Sequence, residues 1–274
     1  MPALSPFLAP VSPRTATAPF YQGGPAEQGS TLEPAVLPVG PYLRRLATQT
    51  APDSSGQVPP LVVPATLGDG TRGWALNWRF SLTPRDLYLA QWSILEAAPQ
   101  LEGDLRVRSL WRSWWRLIYT HVFIGPAGTV TGLHTDWNPN FFGSVCGTKD
   151  WILWPSTQDE ALQPSSKFDY GATCSQVNLS KLQAMPPDVK ARFQGASGGL
   201  YVRLEAGDAL YVPPYTWHAV ISTTPAISLS IFGLQLRHVV VNGVPMVASW
   251  ILHKMGLYRR GNCTCCLNRG AKSD

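Results

Sequence analysis

Between residues 117 and 232 the apolar positions fall into short runs. Leu117–Ile124, Phe141–Cys146, Trp151–Trp154, Tyr201–Leu204, Ala209–Val212, His218–Ser222 and Ile227–Phe232 are rich in β-branched and aromatic residues. Turn-forming residues punctuate them, notably Gly125-Pro126, Gly147, Pro155, Gly207-Asp208, Pro213-Pro214 and Pro225. Short, regularly spaced strands separated by such breakers predict a β-sandwich or β-barrel. Upstream, Leu61–Val63 reads as a short strand. The stretch Arg85–Leu95 after Thr83-Pro84 reads as a helix or strand start, with Tyr88 and Trp92 on one face if helical. Leu105–Trp115 has helical spacing and carries Trp111, Trp114 and Trp115. A second helix is expected over Val244–Met255, with Gly256 in position to cap it.

The ends differ from this middle. Residues 1–60 hold 12 of the 25 prolines, a density that opposes helix and sheet alike. A largely irregular arm is expected there, with one helical turn over Tyr42–Leu46. Few acids occur in the arm, but a transit peptide would carry more arginine. Three segments result: an arm over 1–60, a barrel over 61–240, and a C-terminal helix with a basic, cysteine-containing tail over 241–274. Residues 156–200 form a mixed insert within the barrel.

At 274 residues and 45% apolar, the chain can bury a large core. Its net charge of +5 is small and partly gathered in the tail at Lys254, Arg259, Arg260, Arg269 and Lys272. It does not indicate nucleic-acid binding. Five cysteines without framework spacing, and no secretory signal, place the chain in a reducing compartment, cytoplasmic or nuclear. The longest apolar stretch, Val239–Leu252, is interrupted by Asn242, Gly243 and Pro245, so no membrane span is read. Cys263, Cys265 and Cys266 read as a flexible tail with exposed thiols. A zinc knot with His253 or palmitoylation are the alternatives.

The chemistry begins at His134-Thr135-Asp136. In an extended segment residues i and i+2 face one side, so an imidazole and a carboxylate converge. A third ligand is required, and His218, 82 residues beyond Asp136 at the start of a strand, is the candidate. Two histidines and one carboxylate make the facial triad of non-haem Fe(II) oxygenases, which leaves half the coordination sphere open. A lone His-x-Asp also arises by chance. Of the other histidines, His121 reads as a pocket or core residue in a strand, and His238 and His253 as surface residues.

Wider context sharpens this. Tyr88–Gln91, Phe123–Gly128, Thr131–Asp136, Asn140–Phe142, Gly147–Pro155 and Gly207–His218, taken in order, resemble the JmjC-domain 2-oxoglutarate oxygenases over roughly residues 84–235. Small stand-alone protein hydroxylases are the most similar members. The resemblance implies a mainly β fold, a double-stranded β-helix (jelly-roll or cupin) barrel with flanking helices. It implies Fe(II) on His134, Asp136 and His218, with 2-oxoglutarate and O₂ as co-substrates. Lys149, 15 residues after His134, and Thr131 match the residues that hold the distal carboxylate of 2-oxoglutarate. Asn140 and Tyr88 match polar residues lining that pocket. Trp137, Trp151, Trp154 and Trp217 are candidate pocket walls, at least two of them core filler instead. Phe232 stands near a position where several hydroxylases carry Asn. The implied activity is hydroxylation of a protein side chain. N-methyl-lysine demethylation, RNA hydroxylation and a dead cupin-like scaffold are the alternatives, and no residue in the 156–200 insert names a substrate.

Overall fold

A computed structural model describes residues 17–22, 35–48, 60, 62–66, 70–76, 87–105, 118–167, 171–233, 240, 244–259 and 262. Its strands are β1 (Thr17–Gln22), β2 (Ala35–Pro38), β3 (Val62–Thr66), β4 (Arg72–Leu76), β5 (Leu87–Trp92), β6 (Ile118–Gly125), β7 (Val130–Asp136) and β8 (Asn140–Cys146), then β9 (Lys149–Trp154), β10 (Ala172–Cys174), β11 (Leu200–Leu204), β12 (Ala209–Val212), β13 (Trp217–Ser222) and β14 (Ala226–Gly233). The helices are α1 (Val39–Thr48), α2 (Ile94–Ala97), α3 (Glu102–Leu105), α4 (Asp159–Leu162), α5 (Pro187–Gln194) and α6 (Val244–Lys254).

Two antiparallel sheets carry the fold. One runs β12-β8-β14-β6-β5-β1-β2 and the other β10-β7-β13-β9-β11, while β3 and β4 pair separately. Consecutive β7, β8 and β9 alternate between the sheets, so the chain winds around one interior. All seven expected strands between 117 and 232 are present, as is the one starting near residue 61. The expected fold is therefore the observed one.

The central strands of each sheet are buried on both sides. The outer face of the five-stranded sheet presents Val130, Leu133, Ile152, Trp154, Trp217, Ala219 and Ile221. The insert covers them with Leu162, Val177, Leu179, Leu182 and Phe193. The outer face of the seven-stranded sheet presents Leu89, Trp92, Val122, Ile124, Leu229 and Ile231, and α1 lays Val39 and Leu46 over them. Tyr42 on α1 also donates its hydroxyl to the Ile124 carbonyl at 3.1 Å.

Several expectations are corrected. Within the proline-rich arm the described residues form two strands and the helix α1, longer than the one helical turn expected over Tyr42–Leu46. Pro38 is tolerated because β2 is an edge strand, and Pro19 lies outside the β1–β5 pairing, so neither interrupts a central ladder. For Arg85–Leu95, left open between helix and strand, the strand is what Tyr88 and Trp92 occupy. His253 is buried, its Nδ1 2.7 Å from the Tyr258 carbonyl, rather than on the surface. That carbonyl is brought back by the end of α6. There the Leu257 amide bonds Leu252 and the Gly256 amide bonds His253, with Gly256 at φ +76°, a Schellman cap that only glycine adopts without strain. No helix among the described residues is long and apolar enough to cross a membrane. The expected helix over 105–115, His238 and the cysteines of the tail lie outside the described residues.

Candidate metal centre

Strands β7 and β13 pair so that His134 and His218 stand directly opposite one another, their ring centroids 4.2 Å apart. Asp136, two residues beyond His134, places a carboxylate oxygen 3.8 Å from Nε2 of each ring. One ligand atom from each residue lies within 4.8 Å of the others. A single ion with bonds of about 2.1 Å spans such a gap. No other such group of His, Cys, Asp or Glu occurs among the described residues.

The backbone sets the tautomers. His134 Nδ1 lies 2.7 Å from the Gly132 carbonyl, and His218 Nδ1 lies 2.9 Å from that of Thr216. A carbonyl only accepts, so each Nδ1 carries the proton and each Nε2 keeps its lone pair for a metal. Burial, then the neighbouring His134, pushes the His218 pKa down to about 3. The ring is thus neutral and ready to coordinate at pH 7. The loop before it is fastened to the ligand strand by the Tyr215 amide, which donates to the Asp136 carbonyl at 2.7 Å.

A β-bulge shapes the rest of the site. Between the His218–His134 and Val220–Thr131 pairs, β7 spends one more residue than β13. Thr131 and His134 are three apart and would face opposite ways in a regular strand. The bulge turns both to the interior, and Val130 and Leu133 to the outer core.

Lys149 enters the same interior from β9. Gly147, at φ +78°, makes the preceding turn so tightly that a Cβ would fall 2.2 Å from the Pro225 carbonyl. The Lys149 side chain is 1% exposed. Its ammonium sits 5.6 Å from the Tyr88 ring centroid and 5.7 Å from that of Phe142, with no carboxylate in ion-pair range among the described residues. Burial drives its pKa down to about 7. A buried cation without a counter-ion is costly, so the pocket is suited to an anion. Beside it, the Tyr88 hydroxyl and Thr131 Oγ1 lie 3.3 Å apart, and burial raises the Tyr88 pKa. Asn140 donates Nδ2 to Ser230 at 3.2 Å, leaving its buried Oδ1 unpartnered.

All seven site residues expected from sequence therefore line one interior. Of the four tryptophans, Trp151 stacks on His218 at 5.4 Å and walls the pocket. Trp154 and Trp217 belong to the outer core, where the Trp217 indole donates to Asp159 at 2.6 Å. Trp137 packs at Gly171. His121 lies at the mouth of the interior, edge-on to Tyr119 and Phe232, and Phe232 stacks on Tyr119 at 4.8 Å. Asn138, which donates to the Tyr119 hydroxyl, escaped notice in the sequence. Its position two residues after Asp136 was the available signal.

The family description of a cupin-like domain matches residues 77–242, more than half of the chain. The chain belongs to the cupin-like domain family. Within it, the lysine-specific demethylase JMJ30 of Arabidopsis thaliana is 32% identical over 146 residues, 52% of this chain and 32% of that protein. The 2-oxoglutarate and iron-dependent oxygenase JMJD4 of Danio rerio is 28% identical over 158 residues, 53% and 35% of the two. This cupin-like chain thus matches about a third of the length of those relatives. Among solved structures, the ribosomal oxygenase YcfD of Escherichia coli in complex with cobalt and 2-oxoglutarate is 16% identical, with a TM-score of 0.38 over 73% of this chain and 46% of that one.

Proposed function

We propose that this chain is an Fe(II)- and 2-oxoglutarate-dependent oxygenase that hydroxylates a side chain of another protein. One observation carries the reading. A three-ligand set with two preset imidazole lone pairs shares its interior with a buried lysine that meets no anion among the described residues. A metal site alone would not need Lys149. A dicarboxylate that chelates a metal at one end and meets an ammonium at the other accounts for both. The relatives named as 2-oxoglutarate and iron-dependent oxygenases support it.

Fe(II), when bound, would supply O₂ activation coupled to oxidation of 2-oxoglutarate. The chain's residues provide the setting. His134, Asp136 and His218 would hold the ion. Lys149 and Thr131 hold the far carboxylate, with Tyr88 beside them. Asn140 offers an acceptor, and the aromatic walls from Phe142 and Trp151 keep water out.

The test is succinate release from 2-oxoglutarate by the purified chain with ferrous ion, run beside His134→Ala. Release that needs both the iron and His134 supports the reading. No release, together with no ferrous binding, leaves a cupin-like scaffold. Demethylation is the second reading, favoured by the relative named as a lysine-specific demethylase. The iron chemistry is shared, so the product decides. Formaldehyde release from a methylated lysine peptide marks demethylation, and a mass gain of one oxygen on a trapped protein marks hydroxylation.

A further inference from the structure

Trp151 is 1% exposed, and its indole Nε1 is sealed from solvent with no hydrogen-bond partner among the described residues. Buried indole N–H groups normally find an acceptor, and one left without is costly. The register of the sheet shows where this one lies. On the inner face His218 stands opposite Leu153, Val220 opposite Trp151 and Ser222 opposite Lys149. Three rows follow, each about 6.8 Å from the next. His134 and His218 occupy the first, Thr131, Val220 and Trp151 the second, and Lys149 the third. Anything joining the metal to the lysine crosses the row of Trp151.

Two ring contacts fix the indole. Its plane stacks on His218, 21° from parallel, and Phe142 meets it edge-on at 4.6 Å. Phe142 also lies under the Lys149 ammonium. The indole is thereby clamped between a metal ligand and the lysine's aromatic seat.

We propose that Trp151 is a positioning residue whose indole N–H donates to a carboxylate of the bound dicarboxylate, a further donor beside Lys149 and Thr131. By its stack on His218 it also couples co-substrate occupancy to the orientation of that ligand. This rests on the 2-oxoglutarate reading above. Trp151→Phe keeps an aromatic ring against His218 and removes the N–H.

The experiment uses the full chain loaded with Mn(II), which prevents turnover. Calorimetry measures Mn(II) and 2-oxoglutarate binding to the parent and to W151F. In parallel, the Trp151 indole ¹⁵N–¹H signal, identified by its loss in W151F, is followed in the parent as 2-oxoglutarate is added. The expected result is unchanged Mn(II) affinity, 2-oxoglutarate binding weakened about 10-fold, as for a lost hydrogen bond to a charged group, and a downfield shift of the indole proton. Equal 2-oxoglutarate affinity, or an indole signal that stays in place while the co-substrate binds, overturns the role of Trp151 and leaves the oxygenase reading intact. A parent that binds Mn(II) but not 2-oxoglutarate overturns both. The parent's indole signal decides the matter even if W151F folds poorly.

Discussion

Alternate residues of β9 and β13 meet opposite surroundings. Outward, Ile152, Trp154, Trp217, Ala219 and Ile221 join an apolar core closed by the 156–200 insert, and the indole of Trp217 is satisfied by Asp159. Inward, Lys149, Trp151 and His218 face an interior where, among the described residues, an ammonium has no counter-ion and an indole N–H has no acceptor. The same two strands thus have a finished face and an unfinished one. Close packing outside holds the backbone still, and inside, polar groups wait for ligands to complete them. Substitutions on the two faces are therefore expected to separate stability from binding.

The largest effect is expected outside. Phe193→Ala empties a fully enclosed site in the outer core, and urea unfolding is expected to show a loss of about 3–5 kcal/mol. Metal affinity of the folded protein stays the same. Asp136→Ala reverses the pattern. Ferrous binding by calorimetry weakens by more than about 100-fold, beyond what loss of an outer-shell partner causes, with little change in unfolding. Equal losses of stability in both variants would erase the distinction between the faces.

Next comes Lys149→Met, which fills the volume without the charge. It is expected to weaken 2-oxoglutarate binding by at least about 30-fold while leaving the ligand-free protein as stable or more so. The pH dependence sharpens this. Lys149 has a pKa of about 7 when folded and about 10.4 when unfolded. Between those values the unfolded chain holds a proton that the folded chain lacks, so ligand-free stability rises with pH from about 7 toward 10. Thermal melts across that range are expected to lose this rise in K149M. A parent whose melting point falls steadily over the same range would contradict it. The smallest effect belongs to Asp159→Asn, which keeps an acceptor for the Trp217 indole and is expected to cost under about 1 kcal/mol in urea unfolding.

Most of the barrel was legible because its strands are short and bounded by turn residues, a pattern that survives without tertiary information. The metal ligands were legible for a related reason. Two of them are spaced for one strand face, and the third opens a strand. What stayed open or failed depended on contacts. Tyr88 and Trp92 are four apart, a spacing that suits one face of a helix or of a regular strand. Pairing with β6 makes the segment a strand, and an irregularity near Gln91, at φ +56°, sends Tyr88 inward and Trp92 outward. The arm's prolines argued against sheet, yet the edge of a sheet makes fewer demands on amide donors than its centre. His253 looked exposed because its neighbours are basic, and only the cap at Gly256 brings a carbonyl back over it. The unmatched groups at Trp151 and Asn140 were invisible, since a missing partner is a fact of three dimensions.

The extra residue in β7 makes the interior sensitive to register. The candidate metal ligand His134 and the hydroxyl of Thr131 are phased against one another by a single added amino acid between them. Smoothing the bulge out at constant length, by slipping the residues before His134 one place along β13, would restore even alternation and rotate the threonine hydroxyl into the greasy outer layer, while His134 and Asp136 kept their places. A slip of one register place would thus strip a hydroxyl from the interior beside Lys149 and leave the three candidate metal ligands where they are.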